Sequence, residues 1–172
     1  HRGTLYAVST ESLYRLAPGD AARGSPARFE KIPYGVESYW SLVAHESGVL
    51  VGERRGVLLL RDGAPAPVAI HKLADPAITL KLADDDANLL FVGRGLGLDF
   101  LRYENGEWRL AGRLPNFTAE VRSMQQDDTG ALWLGTSTRG IMRVERAAGE
   151  RDWSKATVTP YLETRGLPAG KS

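Results

Sequence analysis

Arginine side chains recur in the predicted turns of this sequence of 172 residues. Arg54 and Arg55 lie in one turn between two apolar runs, and Arg94 and Arg139 lie in two later ones. A guanidinium group binds a carboxylate or a sulfate through two parallel hydrogen bonds. If the turns lie on one face of the fold, these arginines form an arc that suits an anionic ligand.

Aromatic side chains precede the first of these turns. Tyr34, Tyr39 and Trp40 lie in or just after a predicted linker, and they could supply a stacking surface for a sugar ring. The resulting hypothesis is that this face binds an anionic saccharide or docks a partner. The alternative, that arginines in exposed turns only solvate those turns, stays open.

The segment around Asp128, Gly130 and Trp133 is similar to the Asp-box turn of sialidase propellers. Glycoside hydrolysis requires two carboxylates placed across one bond, and a sialidase-type site requires an arginine cluster with a tyrosine nucleophile. The sequence shows neither arrangement. Gln126 also stands where the box has Ser or Thr. We therefore predict a structural turn and no catalytic residue.

Other candidate sites have simpler interpretations. Three consecutive aspartates at 84–86 lack the spacing of a calcium loop and indicate a solvated turn. The glycines at 93–97 precede a predicted strand, whereas a phosphate loop leads into a helix. His1, His45 and His71 lie in different repeats, and the chain has no cysteine. We predict no metal site and no cofactor.

An internal repeat predicts where these residues lie in the fold. Its marker positions, Val8, Gly52, Gly93 and Gly135, are separated by 44, 41 and 42 residues. A second marker precedes the last three by 20, 20 and 21 residues, at Ile32-Pro33, Leu73-Ala74 and Leu114-Pro115. Leu167-Pro168 begins the same element again.

Each repeat is predicted to contain four short antiparallel strands. The β-branched, leucine and aromatic runs are short and are separated by Gly, Asp, Asn and Pro. Four strands in a period near 42 residues are typical of a β-propeller blade. A β-sandwich is the competing all-β fold, but it gives no reason for markers that recur in phase. We predict a partial β-propeller with blades at 1–35, 36–76, 77–118 and 119–172.

The last repeat resembles the two-component-regulator propeller repeat. That pattern, Asp-x-x-Gly-x-Leu-Trp-hydrophobic-Gly-Thr followed by Gly-hydrophobic, is matched here by Asp127, Gly130, Leu132, Trp133, Leu134, Gly135, Thr136, Gly140 and Ile141. Thr164 to Pro168 resembles the family's linker between blades. Earlier repeats depart from the pattern, with Leu50 in place of Trp and Val8-Ser9 in place of Gly-Thr.

The resemblance implies a location and a role. Propellers of this family form the periplasmic, ligand-sensing part of membrane receptors, and a histidine kinase or diguanylate cyclase domain lies elsewhere in the parent chain. They commonly have about seven blades, so four blades would be part of a larger ring. A closed propeller of four blades stays open as the alternative. The implied partners are an extracellular small molecule or saccharide and the remaining blades. Contact with the membrane would come only through a transmembrane helix of the parent.

Bulk properties fit this interpretation. The net charge is +1 and 42% of the residues are apolar, so no strong field would draw the chain to nucleic acid. No apolar run is long enough to span a membrane. Two other functions stay open: an enzyme on a propeller scaffold, such as a lyase or glycan hydrolase, and a protein-interaction scaffold. Unmatched blades would also make the isolated chain self-associate.

Overall fold

The computed structural model describes residues 1–35 and 38–161. In these residues 15 β-strands form four antiparallel sheets. Apart from the strands, two short 3₁₀ helices occur, at Ala21–Arg23 and Trp153–Lys155. The prediction of an all-β propeller fold is confirmed. Each sheet is called a blade below.

The strands follow one another in chain order within each blade. Blade 1 contains β1 (Tyr6–Val8), β2 (Leu13–Ala17) and β3 (Arg28–Ile32). Blade 2 contains β4 (Tyr39–His45), β5 (Gly48–Glu53), β6 (Gly56–Leu60) and β7 (Val68–Lys72). Blade 3 contains β8 (Ala77–Leu82), β9 (Leu89–Arg94), β10 (Gly97–Glu104) and β11 (Glu107–Arg113). Blade 4 contains β12 (Val121–Gln126), β13 (Leu132–Thr136), β14 (Ile141–Glu145) and β15 (Thr157–Tyr161).

Blade 1 differs from the predicted pattern of four strands, because its sheet has three within the described residues. The fourth occurrence of the linker motif, at Leu167-Pro168, lies outside the described residues, as does the stretch from Thr164 to Pro168. No helix in the described part of the chain is both long and apolar enough to cross a membrane.

Side chains alternate between the two faces of each blade, so that consecutive residues belong to different cores. In β5, Val49 and Val51 pack toward blade 1, whereas Leu50 packs toward blade 3. In β9, Phe91 packs toward blade 4 and Val92 toward blade 2. The near face of a blade is defined here as the face toward the preceding blade, and the far face as the opposite one.

Three apolar cores result, one between each pair of neighbouring blades. The core between blades 1 and 2 centres on Leu13, Ile32, Val51 and Leu58. The core between blades 2 and 3 centres on Leu50, Leu59, Leu90, Val92 and Trp108. The core between blades 3 and 4 centres on Phe91, Phe100, Leu132, Leu134 and Trp153. The first strands β4, β8 and β12 contact one another in succession, which places them together at the inner side of the array.

The marker glycines have a steric role at this inner side. Each pairs with a first strand just beyond a one-residue register shift: Gly52 with Ser41, Gly93 with Thr79 and Gly135 with Ser123. A Cβ atom on Gly93 would lie 2.5 Å from Cγ2 of Thr79 and 2.9 Å from Cγ1 of Val121. The marker therefore recurs because only glycine lets the second strand approach the first so closely.

Candidate ligand-binding face

The linkers and turns that carry the candidate ligand-binding residues lie at one end of the array. The described parts of the linkers between blades lie there, as do the turns between the second and third strands of blades 2, 3 and 4. Backbone hydrogen bonds join each turn to the linker that precedes the same blade: Arg54 N to Ser38 O at 3.1 Å, Gly95 N to Pro76 O at 2.9 Å and Ser137 N to Glu120 O at 3.1 Å. This end is called the linker face.

The strand register shows that the arginines of these turns are not equivalent. The residue directly after the marker glycine is Glu53 in blade 2, Arg94 in blade 3 and Thr136 in blade 4. Arg54 and Arg55 form the turn that follows Glu53, and Arg139 lies in a longer turn before Gly140. The arginines therefore face different surroundings, although all belong to the linker face.

Arg94 is held in a cluster of ion pairs between blades 2 and 3. Its guanidinium group donates to Asp99 Oδ1 at 2.6 Å and to Asp75 Oδ1 at 2.5 Å. The second oxygen of Asp99 lies 2.8 Å from Nε2 of His71 and 3.3 Å from Nε of Arg113. With two carboxylates on its guanidinium and 13% of its side chain exposed, Arg94 is not free to bind an external anion.

Asp99 is the centre of this cluster and is completely buried. Burial alone would raise the pKa of Asp99, but hydrogen bonds from His71 and Arg94 and the charges of Arg94 and Arg113 outweigh it and hold the pKa below its usual value. Asp75 also accepts a bond of 2.7 Å from the backbone of Leu96, which fixes the turn after Arg94. The cluster therefore holds blades 2 and 3 together at the linker face.

The other three arginines remain accessible. Arg54, Arg55 and Arg139 are exposed, and no ion pair joins their side chains to any residue that the structure describes. The backbone N–H of Arg139 donates to Oγ1 of Thr136 at 3.0 Å, so its turn is fixed while its guanidinium group stays in solvent. The guanidinium groups of these three residues are therefore accessible at the linker face.

The aromatic candidates differ in exposure. Tyr39 is only 3% exposed, and burial followed by the charge of Glu53 raises its pKa. Glu53 is itself 3% exposed and accepts a hydrogen bond of 2.8 Å from the backbone of Arg55. Burial raises the pKa of Glu53. Tyr39 thus packs against a buried carboxylate, whereas the side chain of Trp40 is 38% exposed.

A further residue at this face was missed by the sequence analysis. The register shift at the start of each first strand leaves one residue outside the ladder, which is Trp40 in β4, Ile78 in β8 and Arg122 in β12. Arg122 is exposed and forms an ion pair with Glu120. Bulges commonly redirect a side chain near a binding site, and only the pairing of the strands reveals them.

The Asp-box-like segment of blade 4 forms a structural turn, as predicted, but the organising acid is Asp127 and not Asp128. Its carboxylate accepts hydrogen bonds from the backbone of Thr129 and Ala131 at 2.9 and 3.1 Å and from the Trp133 indole at 2.7 Å. Hydrogen bonds from Thr129 and Trp133 hold the pKa of Asp127 well below its usual value. Nε of Arg143 also lies 3.6 Å from Oδ2 of Asp127, so this carboxylate is paired within blade 4.

The remaining candidates each have a local partner. Asp84, Asp85 and Asp86 pair separately with Lys81, Arg146 and Arg102, and so they do not converge on one ion. His45 is hydrogen-bonded to Ser47 and packs on Tyr103 and Trp108, whereas His1 contacts Asp62. No group of acids and histidines within the described residues has the arrangement of a metal site.

A cavity of about 720 Å³ lies at the opposite end, between blades 3 and 4. Its charged lining residues largely satisfy one another, since Arg102 pairs with Asp86 at 2.9 Å and Arg146 with Asp85 at 3.4 Å. Arg146 also lies 4.4 Å from the ring of Trp153. The Arg146–Asp85 pair joins the two blades, whereas the Arg102–Asp86 pair lies within blade 3.

Comparisons with known proteins identify the architecture. No protein-family model matches the chain, and no curated protein does. Among solved structures, the chain is similar to the extracellular domain of a putative hybrid two component system, BT4673, from B. thetaiotaomicron, with a TM-score of 0.68 over 91% of this chain. The fold is that of a β-propeller segment.

The similarity of this chain to the solved structures is a similarity of fold. Sequence identity to that domain is 12%, and a second structure, of the extracellular domain of the putative one component system BT4673, gives 13% identity, a TM-score of 0.67 and 91% coverage of this chain. The propeller segment spans 20% of the length of each neighbour. The similarity therefore shows the propeller fold.

Proposed function

We propose that this propeller segment belongs to the periplasmic sensor part of a bacterial two-component or cyclic-di-GMP signalling receptor, and that it binds an extracellular ligand. The observation that carries the proposal is the fold similarity to the extracellular domain of a putative two component system, at a TM-score of 0.68. The repeat around Trp133 supports it independently, because that match came from sequence alone. In this proposal the segment recognises a ligand, and a kinase or cyclase domain elsewhere in the parent produces the output.

The linker face is the proposed binding surface, and an anionic saccharide is the proposed ligand. Arg54, Arg55 and Arg139 offer exposed guanidinium groups for carboxylate or sulfate, and Trp40 offers an exposed ring for a sugar. Arg94 and Tyr39, predicted from sequence as ligand contacts, are left out of this proposed surface, because Arg94 is ion-paired with Asp75 and Asp99 and Tyr39 is buried.

Titration calorimetry with acidic and neutral oligosaccharides of equal length tests whether the linker face binds an anionic saccharide. An oligogalacturonide or a sulfated disaccharide should bind, and Arg54→Ala combined with Arg139→Ala should weaken binding by at least about tenfold. Arg109→Ala, at an exposed arginine of β11, is the matched control and should leave the affinity unchanged. Equal affinity for acidic and neutral sugars, or no effect of the double change, would contradict an anionic ligand.

A test of the proposed role in signalling requires the parent receptor. A reporter driven by that receptor in its host should respond to the same acidic oligosaccharide, and the response should be lost in the Arg54→Ala and Arg139→Ala double variant. A response that persists in this variant would place sensing outside the linker face.

A further inference from the structure

The three blade interfaces are filled differently near the linker face. One position of the third strand faces the preceding blade in every repeat, and strand register assigns it to Leu58 in blade 2, Asp99 in blade 3 and Met142 in blade 4. Leu58 closes an apolar core, and Asp99 is the centre of the ion-pair cluster. The corresponding space beside Met142 is a cavity.

This cavity has a volume of about 390 Å³, within the range of roughly 300–1,000 Å³ typical of small-molecule sites. Its walls are mainly apolar and come from the linker before blade 4 and from the last two strands of that blade. The apolar lining residues are Pro115, Phe117, Met142, Ala156, Val158 and Pro160. Asn116 and Arg139 complete the lining, and the apolar part provides a surface for an alkyl or aryl group.

One charged residue belongs to the lining. Arg139 is exposed and, within the described residues, has no carboxylate partner. It occupies the turn at 137–139 before Gly140, which by strand register is one residue longer than its counterparts at 54–55 and 95–96. The Thr136 hydroxyl fixes that turn, because it accepts a hydrogen bond from the backbone N–H of Arg139 and donates one to the carbonyl of Gly140. A single guanidinium group beside an apolar cavity matches a ligand that carries one negative charge.

We infer that this cavity binds an amphipathic anion, namely a monocarboxylate or sulfonate with a short alkyl or aryl body. The anionic group pairs with Arg139 through two hydrogen bonds, and the body packs between Phe117, Met142 and Val158. The inference goes beyond the proposed saccharide site, since it concerns a different ligand class. The two sites share Arg139, but the cavity does not involve Arg54 or Trp40.

Octanoate and octylammonium, which have equal length and opposite charge, are suitable probes. In a titration of the ¹⁵N-labelled chain followed by NMR, octanoate should shift the backbone amides of Phe117, Gly140 and Val158, and octylammonium should not. Arg139→Gln should weaken octanoate binding by at least about tenfold. Val158→Trp, or Ala156→Leu if that variant does not fold, should fill the cavity and abolish binding.

Arg54→Gln is the matched control and separates this site from the saccharide site. Arg54→Gln should weaken binding of the acidic oligosaccharide and leave the affinity for octanoate unchanged. The inference is overturned if octanoate and octylammonium bind alike, if the shifts occur at the exposed apolar residues Leu5 and Phe29, or if Arg139→Gln has no effect.

Discussion

At the scale of single residues, a buried carboxylate marks the junction of blades 2 and 3. Asp99 occupies a position that is apolar in blades 2 and 4, and its partners Arg94 and His71 come from blades 3 and 2. Replacing one member of such a cluster is costly because the remaining charges stay buried without a partner. The cluster is thus a point where the stability of the linker face depends on a few side chains.

Asp99→Asn should lower the free energy of unfolding by about 3–5 kcal/mol at neutral pH, as expected when one partner of a buried ion pair is removed. Urea denaturation monitored by tryptophan fluorescence measures this change. Glu107→Gln is the control, because the ion pair of Glu107 with Arg109 is exposed and should contribute less than about 1 kcal/mol.

The pH dependence of the same pair of variants gives a second readout. Because the folded pKa of Asp99 lies below its unfolded value near 3.9, its contribution is present above that pH and is lost as the pH falls through the folded pKa. The difference in stability between the wild-type chain and Asp99→Asn should therefore shrink below about pH 4. A difference that stays constant with pH would contradict the role of the ionised carboxylate.

At the scale of elements, each marker glycine and the register shift opposite it form one unit. A hydroxyl or methyl group on the first strand occupies the space that a Cβ on the glycine would need. The three first strands contact one another, so this close approach sets the packing of strands at the inner side of the array. The glycine therefore recurs in the sequence because the same steric contact recurs in blades 2, 3 and 4.

Gly135→Ala should destabilise the chain by about 1–3 kcal/mol, as overpacking of a close contact does. The new Cβ would clash with Oγ of Ser123, and the next nearest atom is Cβ of Ser123 at 3.7 Å. Adding Ser123→Ala should therefore restore most of the lost stability in urea denaturation.

Gly93→Ala is a comparison variant in which we expect no such recovery of stability from a single second substitution. Its Cβ would meet both Thr79 and Val121, at 2.5 and 2.9 Å, so Thr79→Ser alone should not restore stability. Rescue of Gly93→Ala by Thr79→Ser, or failure of Ser123→Ala to rescue Gly135→Ala, would show that other contacts decide the effect.

At the scale of the whole molecule, the near face of blade 1 is unlike the near faces of the other blades. Leu5, on the near face of blade 1, is 56% exposed, whereas its counterparts Val49, Leu90 and Leu132 are at most 3% exposed. Phe29 on the same face is 50% exposed. An apolar sheet face of this kind is suited to contact another blade, which agrees with the proposal of a larger ring.

The isolated chain should therefore self-associate through the near face of blade 1. Leu5→Lys combined with Phe29→Lys should shift the chain toward monomer in analytical ultracentrifugation. Leu110→Lys, which changes a leucine of β11 that is 47% exposed, is the control and should leave association unchanged. A wild-type chain that is monomeric at all concentrations would contradict this prediction.

Sequence alone determined the repeat, the all-β class and the number of four strands in each complete blade, because strand pairing and tight turns constrain residue types at fixed spacing. It also located the accessible arginines Arg54, Arg55 and Arg139. Only the tertiary structure decided that Arg94 is neutralised by Asp75 and Asp99, that Tyr39 is buried, and that a cavity lies beside Met142. These outcomes depend on which side chains of different blades meet, and the spacing of residues along one strand carries no information about the chemistry of the facing blade.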